Sequence, residues 1–303
     1  MSALISSQIL RLRSADKVWR CEVSPTGASL VSLWHRDVEL VTSPNNEPLY
    51  ALAGSVMAPW PNRLEDATWQ MQDREFKTAI NDSQGNNANH GLVFAKDFEL
   101  VSQTDSSLKL EISLFDENAY PFRVSLTVSF EITNNGLDVK LEAKNLDTES
   151  VPIAFGMHPY FVLDQRSQLL LDSETWITKN ARNLPVSAST FEMSPLGNDR
   201  WKTIYGLEID DCFTDLNFEN DGFCITTITR PEHQIEVDIA QSKELSHLML
   251  YGLSESKHAH RALLAVEPQS APANAFKHLE QVTMLAPAET FAASYRISIR
   301  SVE

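Results

Sequence analysis

Apolar and polar residues alternate with a period of two through much of this chain. Residues 108–115, LKLEISLF, set Leu and Ile against Lys, Glu and Ser. Residues 122–132, FRVSLTVSFEI, repeat the pattern, and so do residues 137–145, LDVKLEAKN. Alternation of this kind places one face of a strand on a core and the other in water, as in antiparallel sheets. The intervening Asn134–Gly136 suits a hairpin turn with positive φ. Further strand-like runs occupy residues 223–230, 234–240, 247–253, 263–268 and 294–300. Helical periodicity is nearly absent; SKELSHL, from Ser242, supports at most a short helix. Strands that follow strands without helices between them argue against a parallel βαβ sheet. The expected fold is all-β: a large sandwich or barrel.

Composition narrows the picture little. The chain has 303 residues, 43% hydrophobic and 22% charged, which are ordinary globular values. All-β architectures of roughly 200–250 residues often form one domain. No repeat, linker or low-complexity segment divides this chain, so residues 1–303 are read as a single domain. Lys and Arg number 25 against 41 Asp and Glu, a net charge of −16 that repels phosphate backbones and anionic lipid. Neither a nucleic-acid nor a membrane partner is expected. Cys21, Cys212 and Cys224 form no CxxC pair, which fits inert thiols in a reducing compartment. Arg11 and Arg13 interrupt the N-terminal apolar residues, so no signal peptide is read and the protein is expected in the cytoplasm.

Five stretches carry candidate chemistry. Residues 57–69, MAPWPNRLEDATW, fix the backbone around Trp60 with two prolines and then present Asn62 and Arg63. They form either an ordered loop with a surface arginine or a guanidinium fork aimed at ligand oxygens. Trp60 either packs the loop or stacks on a ring. Residues 87–98, NANHGLVFAKDF, set His90 beside Gly91, a turn or a point of close ligand approach. Residues 152–163, PIAFGMHPYFVL, place His158 in an apolar run and lock the backbone after it with Pro159. Residues 206–216, GLEIDDCFTDL, bring Asp210 and Asp211 together; on a strand only one of them faces a given site. Residues 263–276, LLAVEPQSAPANAF, end an apolar strand on Glu267, where desolvation favours the protonated acid and strengthens the base. His258 and His260 in KHAHR have no companion ligands with metal spacing, and no nucleophile elbow occurs. No metal and no cofactor are expected.

Together, NRL at 62–64, NHGLV at 89–93, GMHPYF at 156–161, DDCF at 210–213 and VEPQSAPANAF at 266–276 resemble the aldose 1-epimerase (galactose mutarotase) family. The motifs stand in the family's order and span most of the chain. The resemblance implies a galactose-mutarotase-like β-supersandwich with few short helices. It also implies interconversion of the α and β anomers of a free hexose, with an aldose as the small-molecule partner. Residue by residue, it makes Glu267 the base for the C1 hydroxyl and His158 the acid for the ring oxygen. It puts Asn62, Arg63, His90 and Asp210 on the sugar. Counting three back from Phe213 selects Asp210 over Asp211. Nearby carboxylates are expected to keep His158 protonated. A hexose 6-phosphate substrate, a non-catalytic sugar-binding module and a glycosidase with paired carboxylates are the competing readings. The preferred sugar, and whether the protein is a monomer or a homodimer, are not legible.

Overall fold

The structure is a computed structural model that describes residues 9–44, 52–116, 118–199, 201–253 and 261–301. His258 and His260, and most of the N-terminal stretch read for a signal, lie outside the described residues. Among the described residues, two large antiparallel sheets of 12 and 9 strands dominate the fold, with three two-stranded sheets beside them. The period-two segments are its strands: Ser107–Asp116, Tyr120–Thr133 and Gly136–Asn145 lie side by side in the 9-stranded sheet. Along Tyr120–Thr133 the buried set includes Tyr120, Phe122, Val124, Leu126, Val128, Phe130 and Ile132. These residues merge with Leu30, Leu33, Val41, Leu250 and Val266 of the other sheet in one apolar cluster. The structure is therefore the expected all-β supersandwich.

Two local expectations change. The hairpin after Thr133 does have a two-residue loop, since Thr133 pairs with Gly136. The positive φ falls on Gly136 (145°), where a Cβ would lie 2.1 Å from the Ile297 carbonyl oxygen. Close strand approach, rather than turn chirality, is what requires glycine there. The SKELSHL stretch is a turn between strands Ile235–Ser242 and His247–Leu253, not a helix. Among the described residues, helical structure is limited to short 3₁₀ turns such as Phe191–Met193, Ala275–Lys277 and Leu279–Gln281. No helix of the described residues is long and apolar enough to cross a membrane.

One strand positions most of the chemistry. Leu263–Gln269 is fully buried inside the 12-stranded sheet. His247–Leu253 flanks it on one side, and Gly156–Met157 and Tyr160–Val162 on the other. Next beyond His247–Leu253 lies Asp210–Leu216.

Candidate active site

The register around Leu263–Gln269 explains the central pair. Tyr160 pairs with Ala265, and Gly156 pairs with Gln269. The count between these pairs is equal on both strands, so His158 stands directly opposite Glu267. The neighbouring rung is bonded through the Val266 N–H to the Pro159 carbonyl, at 3.3 Å. His158 and Glu267 thus occupy a non-hydrogen-bonded position, where facing side chains approach most closely. Pro159 and Pro268 each lack an N–H, so each deletes a ladder bond beside the pair. The His158 backbone bonds instead to Gly54 and Ser55, at 2.7 and 3.2 Å.

His158 Nε2 lies 3.2 Å from Glu267 Oε1, with both residues buried. Gln269, two residues along the same strand face, donates Nε2–H to Glu267 Oε2 at 3.0 Å. Burial, helped by the Asp210 charge, pushes the Glu267 carboxyl well above its ordinary range. The Gln269 hydrogen bond and Arg63 oppose that shift. Burial also pushes His158 down to about 4. Both shifts disfavour an ion pair and favour a hydrogen bond between neutral partners that share one proton. This corrects the expectation of a charged His158: desolvation outweighs the attraction of a carboxyl that is itself held neutral.

His90 packs edge-on against His158, with ring centroids 5.2 Å apart. Asn62 and His90 both adopt left-handed backbone, φ 55° and 62°, and grip one another. The His90 N–H donates to the Asn62 carbonyl at 2.9 Å, and the Asn62 N–H donates to His90 Nδ1 at 3.3 Å. His90 is buried and its pKa is lowered far below normal by desolvation, reinforced by His158 and Arg63. The neutral ring accepts at Nδ1, so its proton is on Nε2. Gly91 (φ 73°) follows because a Cβ would meet the Ala58 carbonyl oxygen at 2.1 Å.

Arg63 begins the short strand Arg63–Glu65, paired with Asn87–Asn89. Its Nη2 reaches Asp210 Oδ2 at 3.2 Å, its Nη1 reaches Asn62 Oδ1 at 3.3 Å, and its Nε is 3.6 Å from Asp82 Oδ2. Asp210 faces the site, whereas Asp211 accepts from Trp176 Nε1 at 3.0 Å and lies 3.3 Å from Lys179 Nζ. All six sequence-derived residues, Asn62, Arg63, His90, His158, Asp210 and Glu267, line one cavity of about 230 Å³. Tyr160, Met249, Tyr251 and Asn89 line it too, and none of them was marked in the sequence. Tyr160 stands two residues after His158, and Tyr251 is paired with Asp210. Strand periodicity points to Tyr160; Tyr251 is found only through the register of the folded sheet. A wider hollow of about 1020 Å³ lies elsewhere, around Arg11, Arg13 and Arg20, and lacks a buried acid–base pair.

Trp60 is not at the cavity. It is buried against Phe276, with ring centroids 5.4 Å apart, so its role is packing. The three cysteines are free and buried, and burial raises each thiol to about 12. No cluster of metal-ligating side chains occurs among the described residues.

The sequence matches the aldose 1-epimerase family over residues 9–298. It is 28% identical over 280 residues to the uncharacterized protein YihR of Escherichia coli K12, covering 89% of this chain and 86% of that one. The fold resembles a GalM/aldose epimerase homologue from C. elegans, with a TM-score of 0.83, 16% identity, and 98% and 100% of the two chains covered. It also resembles a galactose mutarotase-like protein from Clostridium acetobutylicum, with a TM-score of 0.80, 18% identity, and 94% and 93% covered. With motifs, fold and a near full-length match in agreement, the chain belongs to the aldose 1-epimerase family.

Proposed function

We propose that the protein is a mutarotase that interconverts the α and β anomers of a free hexose, Glu267 serving as base and His158 as acid. The observation that carries this reading is the 3.2 Å contact between Glu267 Oε1 and His158 Nε2 on the wall of a sugar-sized cavity. The C1 hydroxyl and the ring oxygen are bonded to the same carbon, so two adjacent proton-transfer atoms match them. With the shared proton on His158, Glu267 takes the C1 hydroxyl proton while His158 delivers its proton to the ring oxygen. The C1–O5 bond breaks and C1 becomes an aldehyde. Rotation about C1–C2 presents the other face, and closure returns both protons. Concerted transfer avoids free oxyanions, and each group contributes about 10²–10⁴-fold. Sugar hydroxyls donating to Glu267 favour its ionised form, and so move the shared proton to His158 on binding. Arg63, Asp210, Asn62 and the Nε2–H of His90 hold the remaining hydroxyls and the ring-oxygen region.

A hexose 6-phosphate fits less well. Arg63, the cation in the cavity wall, already faces Asp82 and Asp210, and Lys179, behind Asp210, faces Asp211. The proposal takes the chain as one domain acting in a reducing cytoplasm, as a monomer or homodimer. Polarimetry on freshly dissolved α-glucose and α-galactose tests it: the protein accelerates mutarotation of at least one. Hexose binding by calorimetry with no acceleration would make it a sugar-binding module instead.

A further inference from the structure

The turn that joins strands Ser173–Lys179 and Pro185–Thr190 carries two cations, Lys179 and Arg182, and both face inward toward the site's supports. The turn is self-organised: Asn180 Oδ1 accepts the N–H groups of Arg182 and Leu184 at 2.8 and 3.2 Å.

Lys179 acts on one side. Its Nζ bonds the Asp210 carbonyl and lies 3.3 Å from Asp211 Oδ1. Asp211 in turn accepts from the Asp210 N–H at 3.3 Å and from Trp176 Nε1 at 3.0 Å. The Asp211 side chain is only 7% exposed, so it needs these partners to remain in place. Both backbone polar groups of Asp210 are thereby fixed from outside the cavity, and its carboxylate is left to meet Arg63.

Arg182 acts on the other side. Its guanidinium donates to the Gly85 carbonyl at 2.7 Å, Asp66 Oδ1 at 2.6 Å and Glu65 Oε1 at 3.1 Å. It also donates to the Asn86 carbonyl and to Asn87 Oδ1, each at 3.3 Å. Asn87 Nδ2 bonds back to the Arg182 carbonyl at 3.2 Å and to Asp82 Oδ2 at 2.9 Å. Asp82 Oδ2 is the oxygen that faces Arg63 Nε. Glu65 ends the Arg63 strand and Asp66 directly follows it.

We infer that this turn is a clamp: Lys179 and Arg182 are positioning residues that hold Asp210 and Arg63 at the spacing the sugar requires. They contact neither His158 nor Glu267, so they set affinity for the sugar and leave proton transfer alone. The inference rests on the reading of Arg63 and Asp210 as sugar ligands.

Kinetics and hydrogen exchange together test it. Lys179→Met and Arg182→Gln each raise KM for the best hexose by about 5–20-fold, the loss of one charge-assisted contact, with kcat within about twofold. Lys179→Arg and Arg182→Lys recover part of the loss. An unchanged KM, or a fall in kcat at constant KM, overturns the clamp. Independently of turnover, Arg182→Gln speeds amide exchange in residues 62–66 and 81–91, while strands Tyr160–Val162 and Leu263–Gln269 keep their protection. Uniform acceleration, or none, also overturns it. A wild-type protein without mutarotase activity would defeat the functional proposal, while the exchange pattern would still decide the clamp.

Discussion

The cavity joins two ion-capable pairs built in opposite ways. His158 and Glu267 are buried, touch few polar groups, and are tuned by desolvation, which lowers one pKa and raises the other. Arg63 and Asp210 have side chains 17% and 23% exposed and stand within a wide network of carboxylates, amides and cations. Burial adjusts proton affinity but leaves a group costly to ionise. A network of partners fixes the direction and spacing of each group. Proton transfer requires the first property, and reading hydroxyl positions requires the second.

The largest test separates the pairs by kinetics. His158→Ala and Glu267→Gln each lower kcat by about 10²–10⁴-fold with little change in KM, measured by polarimetry. Unchanged rates in both would erase the distinction. Arg63→Ala and Asp210→Asn give the converse, a KM raised about 10–100-fold, as expected for a lost hydrogen bond to a charged group, with kcat within about fivefold.

Stability supplies the next test. Unfolded, Glu267 ionises near 4.5; folded, its pKa is raised. The stability this confers is full below pH 4.5 and is lost as pH rises through the folded value. Gln cannot ionise, so Glu267→Gln gains on the wild type as pH rises. A melting temperature about 2–4 °C higher at pH 8, and a smaller difference at pH 5, correspond to roughly 1 kcal/mol. Equal melting at both values would mean that the carboxyl is not held neutral. The smallest effect is that of salt. Raising ionic strength from about 0.1 to 1 M screens the half-exposed network and raises KM by less than about fivefold, without lowering kcat.

The strands were legible because each buries one face, which imprints period two on the residues themselves. The six residues that line the cavity were legible through their motifs. Their adjacency was not, because register between segments far apart in sequence has no local signature. Gln269 stood in a quoted stretch, but its hold on Glu267 depends on the strand face. Lys179 and Arg182 look like any surface cations until Asp210 and the residue 82–87 turn are placed beside them. The charge of His158 was misread for a related reason: motifs name the neighbours, but only the fold shows how little water reaches them.

The pairing of His158 with Glu267 has one more consequence. Because they face each other across adjacent strands, their separation is set by a count of peptides rather than by the path of any loop. Such a count changes only in whole steps, and one step would turn either side chain to the opposite face of the sheet. The acid–base distance is therefore insulated from changes in loop length around the cavity. On the proposed function, loops at the rim are free to diversify and select different sugars, while the reaction they feed stays the same.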